Sequence, residues 1–177
     1  MGTGKSSLAG ALGPRLGAEV LASDIVRKEL VGIPPEERRP ERWGEGIYGN
    51  DFTTRTYDEL YRRARERLGE GKIVILDASY REVAWRARAR ETARASGAPF
   101  LLLETVCPEA TVRQRLAGRG AGASDGRLEL LDRQREEFQP PLEIPEAERA
   151  RIDTSAALEQ VATVTLGAVY RRRLSAP

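Results

Sequence analysis

Two hydrophobic rhythms alternate along the chain. Short uninterrupted apolar runs, "VLA", "IVIL" and "FLLL", are separated by longer segments whose apolar residues recur every three or four positions. The first rhythm suits strands buried on both faces of a parallel sheet, and the second suits amphipathic helices. "SSLAGALGPRLG" predicts a helix closed by Gly13, Pro14 and Gly17. "AEVLAS" predicts a strand ending at Ser23 and Asp24, with a second helix starting at "DIVRKELVG". Residues 33–52 are rich in Pro, Gly and charge and predict loop. The next segment, "TTRTYDELYRRARERLGEG", places Tyr57, Leu60, Tyr61, Ala64 and Leu68 on one helical face and stops at Gly69 and Gly71.

"KIVILDAS" is the strongest strand signal, four apolar residues ending in an acid. "REVAWRARARETARASG" follows as a helix with an Arg-rich outer face, then "APFLLLETV" as a second buried strand. "PEATVRQRLAGR" opens with Pro108 in a first helical turn. A Gly-rich break, "GAGAS", leads to a helix "GRLELLDRQREEF" capped by Ser124 or Asp125. Residues 139–148 hold three prolines and predict loop. "RARIDTS" is a weak last strand, and "AALEQVATVTLGAVYRRR" a closing helix whose basic end complements the helix dipole. Strands alternating with helices predict one α/β domain over residues 1–177, a parallel sheet with helices on both faces. Residues 115–138, where the Gly-rich break interrupts an Arg-bearing pair of helices, are the candidate for a mobile lid.

Composition narrows the chemistry. The chain has no His and one cysteine, Cys107. That excludes Ser-His-Asp and Cys-His nucleophilic machinery, a Cys/His zinc site and an intrachain disulfide. Proton transfer must then rest on carboxylates or another group. A net charge of +2 argues against a nucleic-acid binder that works through its field. Only three of the 29 basic residues are Lys (Lys5, Lys28, Lys72), and one stands in the opening motif. With no long apolar stretch and no signal peptide, the expectation is a cytoplasmic protein without membrane partners.

The opening "MGTGKSS" supplies the end of a phosphate-binding loop, G-x-x-x-x-G-K-[ST]. Gly2, Thr3 and Gly4 let backbone N–H groups turn toward a phosphate, Lys5 reaches the β- and γ-phosphates, Ser6 ligates Mg²⁺, and Ser7 completes the turn. The alternative is a Gly/Ser-rich N-terminus ahead of a helix by chance. Asp24 lies where a strand gives way to a helix, the place of a base that accepts a hydroxyl proton, or of a helix N-cap. Arg27, one helical turn on, suits an anionic substrate group. Asp77 ends "IVILD" as a Walker B acid would, holding Mg²⁺, or simply closes a strand. Ser79, Tyr80 and Arg81 follow on the substrate side. Arg115 and Arg119, four apart, either close over the phosphates or form a solvated face.

Taken in order, the G-T-G-K-S-S loop, the S-D-x-x-R segment, the L-D-A-S strand end and the Arg pair before a Gly-rich stretch resemble the small P-loop kinases of the AAA family. This is the branch with polynucleotide kinase-like, gluconate kinase-like and chloramphenicol phosphotransferase-like proteins. "YGNDFTTRTYDEL" ahead of "ILDAS" is similar as well. The resemblance implies a P-loop NTPase fold of three layers, α/β/α, with parallel strand order 2-3-1-4-5. It implies transfer of the γ-phosphoryl group of ATP, with Mg²⁺, to a hydroxyl of a small molecule or a nucleic-acid end. Lys5 and Ser6 would serve ATP and Mg²⁺, Asp24 would be the base, Arg27 would bind substrate, and Arg115 and Arg119 would belong to the lid. The alternative is an ATP-binding, slowly hydrolysing regulatory module of a larger fusion. The first glycine of the loop falls two places ahead of Met1, and the first, central strand of that order is not among the 177 residues. The expectation is a natural start about eight to ten residues upstream. Otherwise Met1 is the start and the flanking strands pair directly.

Overall fold

The computed structural model describes residues 2–34, 50–118, 131–132 and 136–174. Arg119, most of the loop expected over 33–52 and most of the helix expected after the Gly-rich break lie outside the described residues. The chain runs α1 (Lys5–Leu16), β1 (Ala18–Ala22), α2 (Ser23–Glu29), α3 (Asn50–Gly69), β2 (Ile73–Asp77), α4 (Val83–Ala95), β3 (Leu102–Val106), α5 (Glu109–Ala117), β4 (Arg149–Asp153) and α6 (Leu158–Leu174).

Two parallel strand pairs form. β1 pairs with β2, Ala18 opposite Ile73 through Ala22 opposite Asp77. β3 pairs with β4, Leu102 opposite Arg149 through Val106 opposite Asp153. No ladder joins β2 to β3. The two strands that would flank a central strand therefore do not pair directly.

Side-chain alternation along β2 builds the layers. Val74 and Leu76 pack against the cluster of Leu21, Val26, Tyr57, Leu60, Tyr61, Ala64 and Ala89, supplied largely by α2, α3 and α4. Ile75 turns the other way, with Leu103 of β3, onto Leu8 and Leu12 of α1 and onto Val161 and Ala162 of α6. The result is the expected α/β/α sandwich, in which α1 spans both strand pairs.

Two expectations need correction. α1 does not close at Gly13 and Pro14 but continues to Leu16, where Gly17 caps it in the left-handed region at φ 60°. Gly13 is held inside the helix by crowding, since a Cβ there would stand 2.9 Å from Val20 Cγ2 on β1. "IVIL" and "FLLLETV" do form strands, but neither is buried on both faces. Ile73 is 38% exposed, and the rest of β2 and all of β3 are only partly buried. The apolar run reports that both faces are apolar, not that both are covered.

The Arg-rich face of α3 is an ion-pair lattice. Glu59 holds Arg62 and Arg63, and its carboxyl is lowered to about 2, chiefly by the Arg62 hydrogen bond. Arg63 also reaches Glu29 on α2, and Arg67 reaches Glu19 on β1. At exposed positions such pairs stabilise little individually, but here they strap α3 to its neighbours. Arg86 is different. It is 1% exposed, pairs with Glu143, and donates to the carbonyls of Tyr80 and Arg81. It thereby ties the exit of β2 to the segment that leads into β4.

Candidate active site

α1 begins from a turn that only glycine makes without strain. Gly2 has φ 76° and Gly4 φ 84°, both left-handed. Gly4 is the N-cap and has no side chain to satisfy the first N–H groups of the helix, so these remain for a ligand. A Cβ on Gly2 would stand 2.8 Å from Val112 Cγ1 of α5, so the turn is also sterically glycine-only. Lys5 is the first helical residue and partly buried, while Ser6 and Ser7 are exposed at the helix mouth.

The turn is fastened to the β3–β4 pair. Thr3 Oγ1 is 2.8 Å from Thr105 Oγ1. Thr154, just past β4 and buried, sits with Oγ1 2.7 Å from the Thr3 carbonyl, and its N–H donates to the Val106 carbonyl at 2.8 Å. Arg115 of α5 donates through Nη2 to the Thr154 carbonyl at 2.7 Å. Its Nη1 lies 3.5 Å from where a Gly4 Cβ would be. Arg115 therefore stands behind the turn, braced on Thr154.

The acids come from the other pair. Because Ala22 is in register with Asp77, the first turn of α2 and the end of β2 emerge side by side at the carboxyl edge of the strands. Asp24 is exposed in that first turn, and the N-cap is Ala22. Asp24 thus has the dipole-favoured place of an acid but not the capping role. Arg27, one turn on, is 7% exposed and donates to Thr53 Oγ1 of α3 at 3.4 Å. Its guanidinium faces inward, near Tyr57, whereas Asp24 faces water. Asp77, Lys5 and Thr3 line the same cavity, with Ser79, Tyr80 and Arg81.

Tyr80 is the one described non-glycine residue with positive φ, at 44°. Such strain persists where packing over-determines it. Its ring meets Tyr57 edge-on at 5.6 Å, and Tyr57 stacks on Trp85 at 4.5 Å. Burial holds the Tyr80 and Tyr57 phenols above their ordinary range. Sequence reasoning missed Thr154 and Arg86 and gave Tyr80 only a general place. The signal for Thr154 was its position at the end of a strand, in "RIDTS", where the other strand ends had already drawn attention.

The site suits a triphosphate and a hard divalent cation. The Gly2–Gly4 turn leaves helix N–H groups uncapped, and the Ser6 hydroxyl and Asp77 carboxylate are oxygen donors of the kind Mg²⁺ takes. Among the described residues no group of three or more His, Cys, Asp or Glu gathers, so a cation here would complete its shell with water and phosphate. No helix among the described residues is long and apolar enough to cross a membrane.

Residues 1–141 match the AAA_33 family, an AAA domain. Over 129 residues, 73% of the chain, it is 31% identical to the uncharacterized protein Rv2004c of Mycobacterium tuberculosis and to the uncharacterized protein Mb2027c of Mycobacterium bovis. The chain spans about a quarter of the length of these curated relatives, 26%. Among solved structures, it superposes on a gluconokinase from Sinorhizobium meliloti 1021 with a TM-score of 0.60 and 23% identity, covering 97% of this chain and 87% of that one. It superposes on the Mycobacterium tuberculosis APS kinase CysC, solved with AMPPNP and APS, with a TM-score of 0.65 and 19% identity, covering 96% and 92%. The Deinococcus radiodurans tunicamycin resistance protein gives a TM-score of 0.53 at 20% identity, covering 92% and 89%. These likenesses give the chain the fold of small P-loop kinases.

Proposed function

The chain belongs to the AAA domain family, and from that membership we propose that it is an ATP-dependent phosphotransferase acting on a hydroxyl of a small molecule or a nucleic-acid end. The observation that carries the reading is the Gly2–Lys5 turn, which opens α1 at the carboxyl ends of the strands beside Asp77. In this reading Gly2, Thr3, Gly4, Lys5, Ser6 and Ser7 hold the phosphates through backbone N–H groups, the Lys5 ammonium and two hydroxyls. Ser6 and Asp77 hold Mg²⁺, which neutralises charge on the phosphoryl oxygens when bound. Asp24, exposed and adjacent, accepts the proton of the acceptor hydroxyl. The acceptor oxygen forms its bond to the γ-phosphorus as the bond from that phosphorus to ADP breaks. Arg27 binds an anionic group of the acceptor. Arg115, expected to close over the phosphates, instead keeps the loop in place from behind, which leaves Arg119 to offset transition-state charge. ATP as co-substrate makes the cytoplasm the natural setting. The matched 129 residues make up only 26% of those relatives, which suits association or fusion with a further domain.

The test follows the label from γ-³²P-ATP into a metabolite library and into oligonucleotide ends. We expect a labelled acceptor with the parent protein and none with Asp24→Asn, whose ATP binding persists. Full transfer by Asp24→Asn would remove the base assignment. ATP affinity with no labelled acceptor in any pool would favour the regulatory module instead.

A further inference from the structure

Two guanidinium groups from different elements flank one buried phenol on the acceptor side of the site. Thr53 and Tyr57 stand one turn apart on the same face of α3. Arg27 of α2 reaches the first of them, with Nη1 3.4 Å from Thr53 Oγ1. The second accepts the Tyr80 N–H at its Oη, 3.3 Å away, and Arg81 is the next residue along. Arg27 and Arg81 are accordingly the two positive charges that act on the Tyr57 phenol, and the Ser79 hydroxyl bonds to the same oxygen. Tyr57 is 3% exposed and Arg27 7%, so packing fixes both. Burial keeps the phenol neutral, and it does not offset the cations beside it.

Arg81 shows what such a position holds. Its Nη1 is paired with the carboxylate of Glu137, whose side chain is 40% exposed. A pair open to water on the acid's side contributes little to stability and exchanges readily with another oxyanion. Arg81 lines the cavity with Lys5, Asp77 and Ser79, so an anion that displaced Glu137 would lie on the acceptor side of the Gly2–Gly4 turn. The segment that carries Arg81 is rigid. Tyr80 is held at φ 44°, and the carbonyls of Tyr80 and Arg81 both accept from the buried Arg86. Guanidinium groups arriving from two elements suit a tetrahedral group with close to two negative charges. A planar carboxylate is satisfied by one guanidinium alone. A phosphate monoester is a tetrahedral group of that charge near neutral pH.

We propose that Arg27 and Arg81 form a two-guanidinium clasp, set apart by Tyr57, that takes a phosphate monoester group carried by the acceptor, and that Glu137 occupies the Arg81 arm until that group arrives. The acceptor is then a hydroxyl compound that already bears one phosphate, and the clasp selects it over the unphosphorylated alcohol. Assigning this group to the acceptor rests on the phosphotransferase reading, whereas the clasp itself is tested without ATP.

The experiment titrates methyl phosphate into the full chain and follows the backbone amide signals of Ser79, Tyr80 and Arg81 by NMR, with those of Gly2 and Gly4 read separately in the same spectra. Methyl sulfate and acetate, both monoanions, are the comparison. We expect saturable shifts at Tyr80 and Arg81 with methyl phosphate, and binding of the monoanions about tenfold weaker. Arg27→Gln and Arg81→Gln should each weaken methyl phosphate about tenfold at these signals and leave its effect at Gly2 and Gly4 unchanged. Glu137→Gln should tighten it about two- to fivefold, because the Arg81 arm no longer has to be vacated. Arg81→Gln and Glu137→Gln break the same ion pair, so an Arg81 that is only a structural tie would make the two variants behave alike. That outcome would overturn the proposal. So would the absence of a saturable shift at Tyr80 and Arg81, or acetate binding as tightly as methyl phosphate. If either arginine variant does not fold, the direction of the Glu137→Gln change decides alone. Sugar phosphates and nucleoside monophosphates, offered in separate arms with γ-³²P-ATP, show which of the two carries the group. A clasp that binds methyl phosphate while no acceptor is labelled would remove the phosphotransferase reading and leave the clasp. Label entering alcohols as readily as their phosphate esters would remove the clasp and leave that reading.

Discussion

In the β1–β2 half, the strands rest on an aromatic and aliphatic cluster, with Tyr57, Tyr61 and Trp85 against Leu60 and Ala64, and an ion-pair lattice straps α3 outside it. The β3–β4 half uses aliphatic contacts with α1 and α6 and, at its carboxyl edge, a hydrogen-bond chain through Thr105, Thr3, Thr154 and Arg115. The acids Asp24 and Asp77 stand on the first half, and the Gly2–Gly4 turn is fastened to the second. Chemistry that needs both therefore depends on what joins the halves, and the described structure offers α1 on one side and, on the other, the pairs Arg86–Glu143, Arg90–Glu148 and Arg81–Glu137. Stability and activity separate along this line. Damage within one half should leave the other half's function readable, and damage to a span should not.

The largest effect is expected at Lys5, where the turn meets the acids. Lys5→Ala should lower kcat/KM for phosphoryl transfer by about 10²–10³ and weaken nucleotide binding, because a charge aimed at the phosphates is removed. Isothermal titration and steady-state kinetics check both. Unchanged affinity would detach the turn from nucleotide binding altogether.

Arg86 tests the span. Arg86→Ala leaves Glu143 without its partner and two carbonyls, of Tyr80 and Arg81, without a donor. Breaking a buried pair from one side costs about 3–5 kcal/mol. Urea unfolding should show that loss, and if the brace couples the halves, the single transition should broaden or split. A single sharp transition at lower urea would mean that α1 and the remaining pairs, Arg90–Glu148 and Arg81–Glu137, are enough to keep the halves together.

Thr154 sharpens the comparison from inside one half. Thr154→Val keeps the shape and removes the hydroxyl at the Thr3 carbonyl, leaving that carbonyl short of a partner at a cost of about 1–3 kcal/mol. The loss should appear as weaker nucleotide affinity with little change in the aromatic half, followed by fluorescence of Trp85 in a Trp43→Phe background. Equal loss in both readouts would mean the two halves respond as one.

What could be read in the sequence was local, and what could not was distant. Gly2, Gly4 and Lys5 announced the turn because spacing and residue type alone define it, and "IVILD" announced a strand ending in an acid. The partners that give these elements their positions lie far along the chain. Thr154 is 151 residues from the carbonyl it holds, and Arg86 is 57 from Glu143. No periodicity marks such pairs. The direction of Arg27 was equally out of reach, since helical spacing puts it near Asp24 but only the position of α3 turns it inward. The exposure of β2 and β3 was hidden for another reason. An apolar run records which surroundings a strand suits, and the neighbours themselves are supplied by tertiary structure.

The smallest expected effect is a pH dependence that isolates the span again. The Arg86 hydrogen bond holds the Glu143 carboxyl below its ordinary range of about 4.5 in the folded chain. A group lowered on folding contributes stability above its unfolded value and loses it as pH falls through the folded one. The brace should therefore be fully present at pH 7 and weaken as the pH falls below about 4.5. Glu143→Gln removes the charge at every pH, so it should unfold about 1 kcal/mol more easily than the parent at pH 7, with the difference shrinking as the pH falls below about 4.5, by urea titration across that range. Glu59 provides the control within one half. Its carboxyl is also lowered, to about 2, but by exposed partners on α3, so Glu59→Gln should change acid stability while leaving any splitting of the unfolding transition as it was. Should the difference between Glu143→Gln and the parent stay constant as the pH falls, the brace would work by shape and neutral hydrogen bonds, and the charge on Glu143 would not be what joins the two halves.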